Sequence, residues 1–316
     1  MRKSLVFALG MAGLAAVATA TRAADVVPVT IIAPVVATPP ANTAAFVEMF
    51  GGFDLFNRNF EEQGDCAGCH GLGAGFGGNG QATWMMSPSL SMQIGVWAEH
   101  WSGRSTNEAI DVDWDANRFG VGTHLSYWIN DLLVGGFASI GHRDEFGFGT
   151  FATTGLEAAL NASRFRVYAQ TGITFGVAPD FIRDAQIRNF YGRVVGTFYA
   201  TPNLALSANA GAALSRIAGD AAGTLFTWGG RAEFQLARAP LYFLASYQGG
   251  LGRFPPDPSI VNVMEHTFRI GFGLNIGSPD IQTRDRNVGL ADFNCLYGVA
   301  GTPTIECGFI EGGGSI

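Results

Sequence analysis

The chain has 316 residues and a formal net charge of −7, and only 14% of its residues are charged, against about 25% in soluble domains. An acidic balance excludes nucleic acid as a partner, because that binding rests on basic patches. Hydrophobic residues reach 47%, yet beyond the N-terminus no run supplies the ~18 consecutive apolar residues of a membrane helix, which excludes a helical membrane protein.

The chain starts Met1-Arg2-Lys3, continues with an apolar run from Leu5 to Val17, and then reads Ala18-Thr19-Ala20. A basic start, a short apolar core and a small-residue site describe a cleavable secretory signal peptide over 1–20. Residues 21–45 are rich in Pro and Ala and nearly uncharged, and are read as an extended periplasmic lead-in.

From 46 to 276 the sequence alternates between segments of about ten residues and links. The links at one end are short: Ser87-Pro88, Ile129-Asn130-Asp131, Ala162-Ser163, Thr201-Pro202-Asn203 and Ala237-Arg238-Ala239-Pro240. Those at the other end are longer: 57–79, 102–117, 143–148, 176–187, 216–222 and 252–263. Tight turns at one end and long loops at the other are the rhythm of an outer-membrane barrel, with periplasmic turns and extracellular loops. The predicted fold is all-β: an antiparallel up-and-down transmembrane barrel of about twelve strands, at 46–56, 80–87, 89–101, 118–128, 132–142, 149–161, 164–175, 188–200, 203–215, 224–236, 241–251 and 264–276. Residues 57–79 are predicted as a Gly- and Cys-bearing loop, and 277–316 as a periplasmic tail.

Within the strands, parity separates two faces. In 89–101, Leu90, Met92, Ile94, Val96 and Ala98 oppose Ser91, Gln93, Gly95, Trp97 and Glu99. In 264–276, Phe268, Ile270, Phe272, Leu274 and Ile276 oppose Thr267, Arg269, Gly271, Gly273 and Asn275. Aromatic pairs at strand ends, Tyr127 with Trp128, Phe198 with Tyr199, Phe226 with Trp228 and Phe243 with Tyr247, are expected in girdles at the two interfaces.

The segments VEMFGGFDLF, ARAPLYFLASYQG, FRIGFGLNIG and TRDRNVGLADF resemble those of alphaproteobacterial outer-membrane β-barrel proteins often called porin-like, over Ala45 to Phe293. The resemblance implies a barrel in the outer membrane of a Gram-negative bacterium and little about activity. The CAGCH stretch and the cysteine-bearing tail depart from that pattern.

The polar parity face collects Arg118, His124, Glu157, Arg166, Arg193, Arg231, Glu233 and Arg269 as pore-lining candidates, with Glu99, Arg164, Gln93, Gln170, Asn209 and Gln235 beside them. An arginine excess in an open lumen selects anions. A barrel of intermediate strand number also has room to fill its interior with paired side chains.

Cys66-Ala67-Gly68-Cys69-His70 has the spacing of a c-type haem attachment site. About twenty Gly-rich residues offer no apolar pocket for a haem, so the expected state is disulfides, Cys66–Cys69 and Cys295–Cys307, in an oxidising compartment, with no cofactor and no metal. Haem c at Cys66, Cys69 and His70 is the alternative. His100-Trp101-Ser102 places a base and a hydroxyl on one strand face near the loop end, where some outer-membrane lipases and deacylases keep theirs. A nucleophile needs an oriented base, and no carboxylate is in evident position. Asp111, Asp113 and Asp115 fall in a predicted loop, where alternating carboxylates suit calcium or simply solvent.

The expectation is a non-enzymatic barrel, a narrow passive channel or a structural surface protein. Its partners would be outer-membrane lipid and lipopolysaccharide, the barrel assembly machinery during biogenesis, and small solutes. An acyl hydrolase using His100 and Ser102 is a further alternative.

Overall fold

The computed structural model describes residues 43–59, 69–106, 111–143, 150–177, 186–217, 221–254 and 261–287, all within the unit Pro40–Ile316. Twelve antiparallel strands close into one barrel, each paired with its neighbours in sequence and the first with the last. They are β1 (Thr43–Asn59), β2 (Cys69–Ser87), β3 (Leu90–Thr106), β4 (Asp111–Ile129), β5 (Leu132–Arg143), β6 (Thr150–Ala162), β7 (Phe165–Val177), β8 (Gln186–Thr201), β9 (Leu204–Ile217), β10 (Ala221–Gln235), β11 (Leu241–Phe254) and β12 (Val261–Ile276). The seam between β1 and β12 runs without a break from Ala45↔Ile276 to Asn59↔Asn262. Among the described residues no edge strand is left, although β4 runs past its β5 partner from Asp111 to Asn117.

The two faces of this wall are inverted relative to a soluble protein. Val96, Ile140, Leu156, Ile270 and Phe272 are exposed on the outside. Glu48, Asp54, Glu99, Arg118, His124, Glu157, Glu233 and Glu265 are buried inside. Alternation by two puts each strand's polar set inward and its apolar set outward. Outward threonines accept the same logic: Thr123, Thr154 and Thr171 each donate their hydroxyl to a carbonyl of the adjoining strand at 2.9 to 3.0 Å.

The inner face is crowded because glycine and aromatic residues are matched across strands. The ring of Trp97 lies flat on Gly120, and that of Trp101 on Gly75, so a Cβ at either glycine would fall inside the ring. Rings laid over bare backbone in this way fill the lumen and cover the weak points of a Gly-rich sheet.

All five short turns meet at one end. Asn130 takes φ 55° in the turn between β4 and β5, a left-handed conformation that Asn tolerates through its short polar side chain. At the same end Gly277, with φ 84°, turns the chain out of β12 and into the helix α1 (Ile281–Asn287).

Several expectations are corrected. Residues 69–79 belong to β2, not to a loop, and are paired with β1 as far as Arg58↔Cys69. The presumed loop 102–117 is largely strand, since β3 and β4 remain in register out to Thr106↔Asp111. Half of two aromatic girdle pairs points inward: Tyr127 is exposed, but Trp128 packs on an interior cluster of Leu133, Ala159, Tyr168 and Val195. Likewise Phe198 faces out and Tyr199 in. Adjacent residues of a strand cannot share a face, so a pair at a strand end splits between lipid side and lumen. The tail is not wholly external either, because its first residues fold back onto the turn-end mouth.

Candidate functional site: the closed lumen

The interior side chains assemble into separate ionic groups. At the turn end, Glu48 of β1 accepts hydrogen bonds from Tyr242 (2.8 Å), Asn79 (3.0 Å) and Arg231. Arg231 also reaches Glu233 at 2.7 Å. Glu233 in turn accepts both contacts of Arg284 Nη2, at 3.2 and 3.0 Å. Arg284 comes from α1, and nothing in the sequence marked it as a lumen residue.

The helix is fixed at several further points. Arg284 bonds Asp285 at 2.7 Å, and Tyr199 on β8 donates to Asp285 at 2.9 Å. The rings of Phe46 and Tyr242 flank the Arg284 guanidinium at 5.3 and 5.0 Å, within cation–π range. Ile281 is fully buried among Tyr199, Ala205, Tyr242 and Leu244. Gln282 N–H donates to the Pro202 carbonyl, and Arg286 donates to the carbonyls of Ala162 and Ser163 in the next turn. Asp280 caps the helix start by accepting from Thr283 N–H at 2.7 Å, a common N-cap arrangement. Burial would lower the pKa of Arg284, and the carboxylates of Asp285 and Glu233 more than offset it and hold it well above the usual value. The buried guanidinium therefore stays charged.

A second group lies higher in the lumen. Glu99 accepts Arg269 at 3.2 Å, Trp101 Nε1–H at 3.0 Å and, more loosely, Arg118 at 3.9 Å. Arg269 stacks over Phe50 at 4.3 Å. Farther round the wall, on β4, β6 and β7, His124 Nδ1 lies 2.5 Å from Glu157, whose other oxygen accepts from Tyr168 at 3.1 Å. Toward the loop end Thr267 donates to Asp54 at 2.9 Å, and Thr153 meets Thr174 at 3.0 Å.

All eight residues named from sequence as pore-lining, Arg118, His124, Glu157, Arg166, Arg193, Arg231, Glu233 and Arg269, project into the interior. Six of them are buried, and Arg231 and Arg269 are half-buried. Arg164 does not join them; it sits exposed in the turn before β7. Arg166 and Arg193 lie on β7 and β8, and Arg193 borders a small interior cavity with Tyr191, Ala213, Leu225 and Thr227. What sequence could not supply was the pairing across the lumen, which depends on barrel closure.

Of the CAGCH stretch, Cys69 and His70 lie in the backbone of β2 and Cys66 is outside the described residues, as are Cys295 and Cys307. The disulfide and haem readings therefore rest on sequence alone. Asp113 and Asp115 lie on the outer side of β4, not in a loop, and Asp113 is 3.9 Å from Arg104. Among the described residues, no group of three or more His, Cys, Asp or Glu side chains comes together to hold a metal. His100 and Ser102 stand on the outer face of β3, and Asn117 of β4 lies beside His100, with Oδ1 2.9 Å from Nδ1. Asn117 belongs to strand β4, which brings this amide, and no carboxylate, opposite His100.

No family model and no curated protein matches the chain. Among solved structures, an outer membrane channel from Pseudomonas putida F1 aligns over 76% of this chain and 97% of its own, with a TM-score of 0.57 and 10% identity. The β domain of the Bordetella autotransporter BrkA aligns over 74% of this chain and 100% of its own, with a TM-score of 0.49 and 11% identity. The translocator domain of the autotransporter NalP from Neisseria meningitidis aligns over 73% and 88%, with a TM-score of 0.47 and 12% identity. The chain is thus similar in fold to an outer-membrane channel, a closed antiparallel barrel.

Proposed function

We propose that the protein is an outer-membrane β-barrel of a Gram-negative bacterium whose lumen is closed at rest by its own tail helix. A surface of exposed Val, Ile, Leu and Phe around a closed barrel wall suits hydrocarbon as solvent. Short turns at the end where α1 docks then lie in the periplasm, and the long connections face outward. The cell's outer-membrane lipid and lipopolysaccharide would surround it, with assembly machinery inserting it.

One observation carries the functional reading: the buried chain of charges Glu48, Arg231, Glu233, Arg284 and Asp285, which ties α1 across the turn-end mouth. An open diffusion pore keeps a wetted constriction. Here both guanidinia are engaged by carboxylates, and small solutes would pass only after α1 leaves. An arginine-based anion preference then belongs to the opened state, because Arg231 and Arg269 are engaged with carboxylates in the closed one.

Planar-bilayer recording tests this. The wild-type chain is expected to be silent for most of the record, and the Arg284→Ala/Asp285→Ala variant to show stable conductance steps. Equal, continuous conductance from both would remove α1 as the closure. Silence from both, with the barrel folded, would leave a structural surface protein.

A further inference from the structure

We propose that His100, Ser102 and Asn117 form a serine acyl-hydrolase site on the lipid-facing surface, acting on acyl esters of lipids in the outer leaflet. The assignment does not depend on whether the lumen conducts.

Three features support it. The first is orientation of the base. Asn117 is the direct cross-strand partner of His100, and its Oδ1 lies 2.9 Å from His100 Nδ1. An amide oxygen can only accept, so Nδ1 carries the proton and Nε2 presents its lone pair. That is the tautomer a general base requires, and orienting it is the task of the third member of a triad. The ring of Phe76, 5.6 Å away, flanks the imidazole on the β2 side. The second is the hydroxyl. Ser102 is exposed, two residues along the same outer face of β3, about 7 Å away between Cα atoms, so a rotation of the two side chains toward each other on substrate binding completes the pair. The third is placement. Ser102 lies in the last turnward-to-loopward third of β3, which ends at Thr106. In the proposed topology this is the outer-leaflet rim, where an ester joins acyl chain to headgroup. Just beyond, Arg104 and Asp113 are both well exposed and would meet headgroup and water, while Asp115, the cross-strand partner of Ser102, borders the nucleophile on the β4 side.

The chemistry balances without a cofactor. Ser102 Oγ attacks the ester carbonyl as its proton passes to His100 Nε2. The tetrahedral adduct collapses, the alcohol oxygen leaves with that proton, and the acyl group remains on Ser102. Water, deprotonated by the same nitrogen, then releases the fatty acid and restores the hydroxyl. Asn117 is a positioning residue: it orients His100 and meets no reacting atom.

The test uses the full mature chain refolded in mixed micelles. A fluorophosphonate probe should label Ser102, identified by peptide mass. Fatty acid should be released from diacyl phosphatidylethanolamine or from lipid A, assayed in separate arms that decide which lipid is cleaved. Ser102→Ala and His100→Ala should both fall to background, a loss on the order of 10²-fold or more. Asn117→Ala should lower kcat and shift the acid limb of its pH profile, and Asn117→Asp should restore much of the rate. A structural role for Asn117 would move neither limb. All variants should keep the heat-modifiable gel mobility of a folded barrel. No labelling and no release from either lipid by the wild type would overturn the proposal. Release that persists in folded Ser102→Ala would do the same.

Discussion

Substituting Glu233 by Gln probes the closure most directly. Glu233 is the wall carboxylate that holds α1, taking Arg284 Nη2 on both oxygens at 3.2 and 3.0 Å. Arg284 keeps Asp285, but both residues belong to the same helix, so that pair does not tie the helix to the wall. Arg231 keeps Glu48, so the substitution leaves no guanidinium without a carboxylate. A glutamine still offers one neutral acceptor. Hydrogen bonds to charged groups contribute about 1.5–3 kcal/mol and neutral ones about 1, so the docked helix loses about 2 kcal/mol. At 1.4 kcal/mol per decade this raises the undocked population about 30-fold. Trypsin reads that population. Arg284 is buried when docked, and cleavage after it releases a fragment beginning at Asp285 that mass spectrometry identifies. With opening and closing fast relative to cleavage, the rate follows the open fraction. Cleavage in detergent micelles should therefore be about 30-fold faster in Glu233→Gln than in wild type. Equal rates in two folded barrels would refute the idea that this ion pair latches the helix.

Tyr199→Phe removes only the 2.9 Å bond to Asp285 and should speed the same cleavage about 5-fold, the equivalent of about 1 kcal/mol. Its effect should not simply add to that of Glu233→Gln, because Arg284 bridges both carboxylates; a double-mutant cycle measures the coupling. Gly120→Ala drives a Cβ into the Trp97 ring and should cost about 1–3 kcal/mol in urea unfolding from vesicles. Gly196→Ala, with nothing within 4 Å, should stay within about 0.5 kcal/mol. Ile270→Arg places a charge at an outward position 73% exposed near the middle of β12, and should cost about 2–4 kcal/mol in the same assay if that face meets lipid; no loss would put the face in water.

The alternation of apolar and polar residues made the wall and its two faces legible, because the period of a strand needs no knowledge of its neighbours. The short turns were legible for the same local reason: Asn130, Pro202 and Pro240 suit turns whatever surrounds them. What escaped was set by contacts across the barrel. Residues 71–79 read as a loop because glycine is poor in strands, yet Leu72, Ala74 and Phe76 keep the outward period. The inward glycines there are useful only because Trp101 of β3 needs a bare surface to lie on. Asn117 was missed because 102–117 was assigned to a loop; read as two strands, the same residues bring it opposite His100.

The closing helix was the least legible element, and its composition explains why. The sequence Ile281-Gln282-Thr283-Arg284-Asp285-Arg286-Asn287 carries one apolar anchor and no amphipathic stripe, so it would not hold as an isolated helix of this length. Its stability comes from the site that receives it. A lumen in a membrane barrel must hide charges from hydrocarbon on one side while keeping them paired on the other. The wall at the turn end supplies two carboxylates, Glu48 and Glu233, with Arg231 between them. A second cation settles that imbalance, and Arg284 is the one that arrives, bringing Asp285 to Tyr199 as it does so. If the tail closes the mouth as proposed, this ionic layer is weakened by any event that supplies a competing charge or withdraws the tail, which makes the turn end the place where opening would begin.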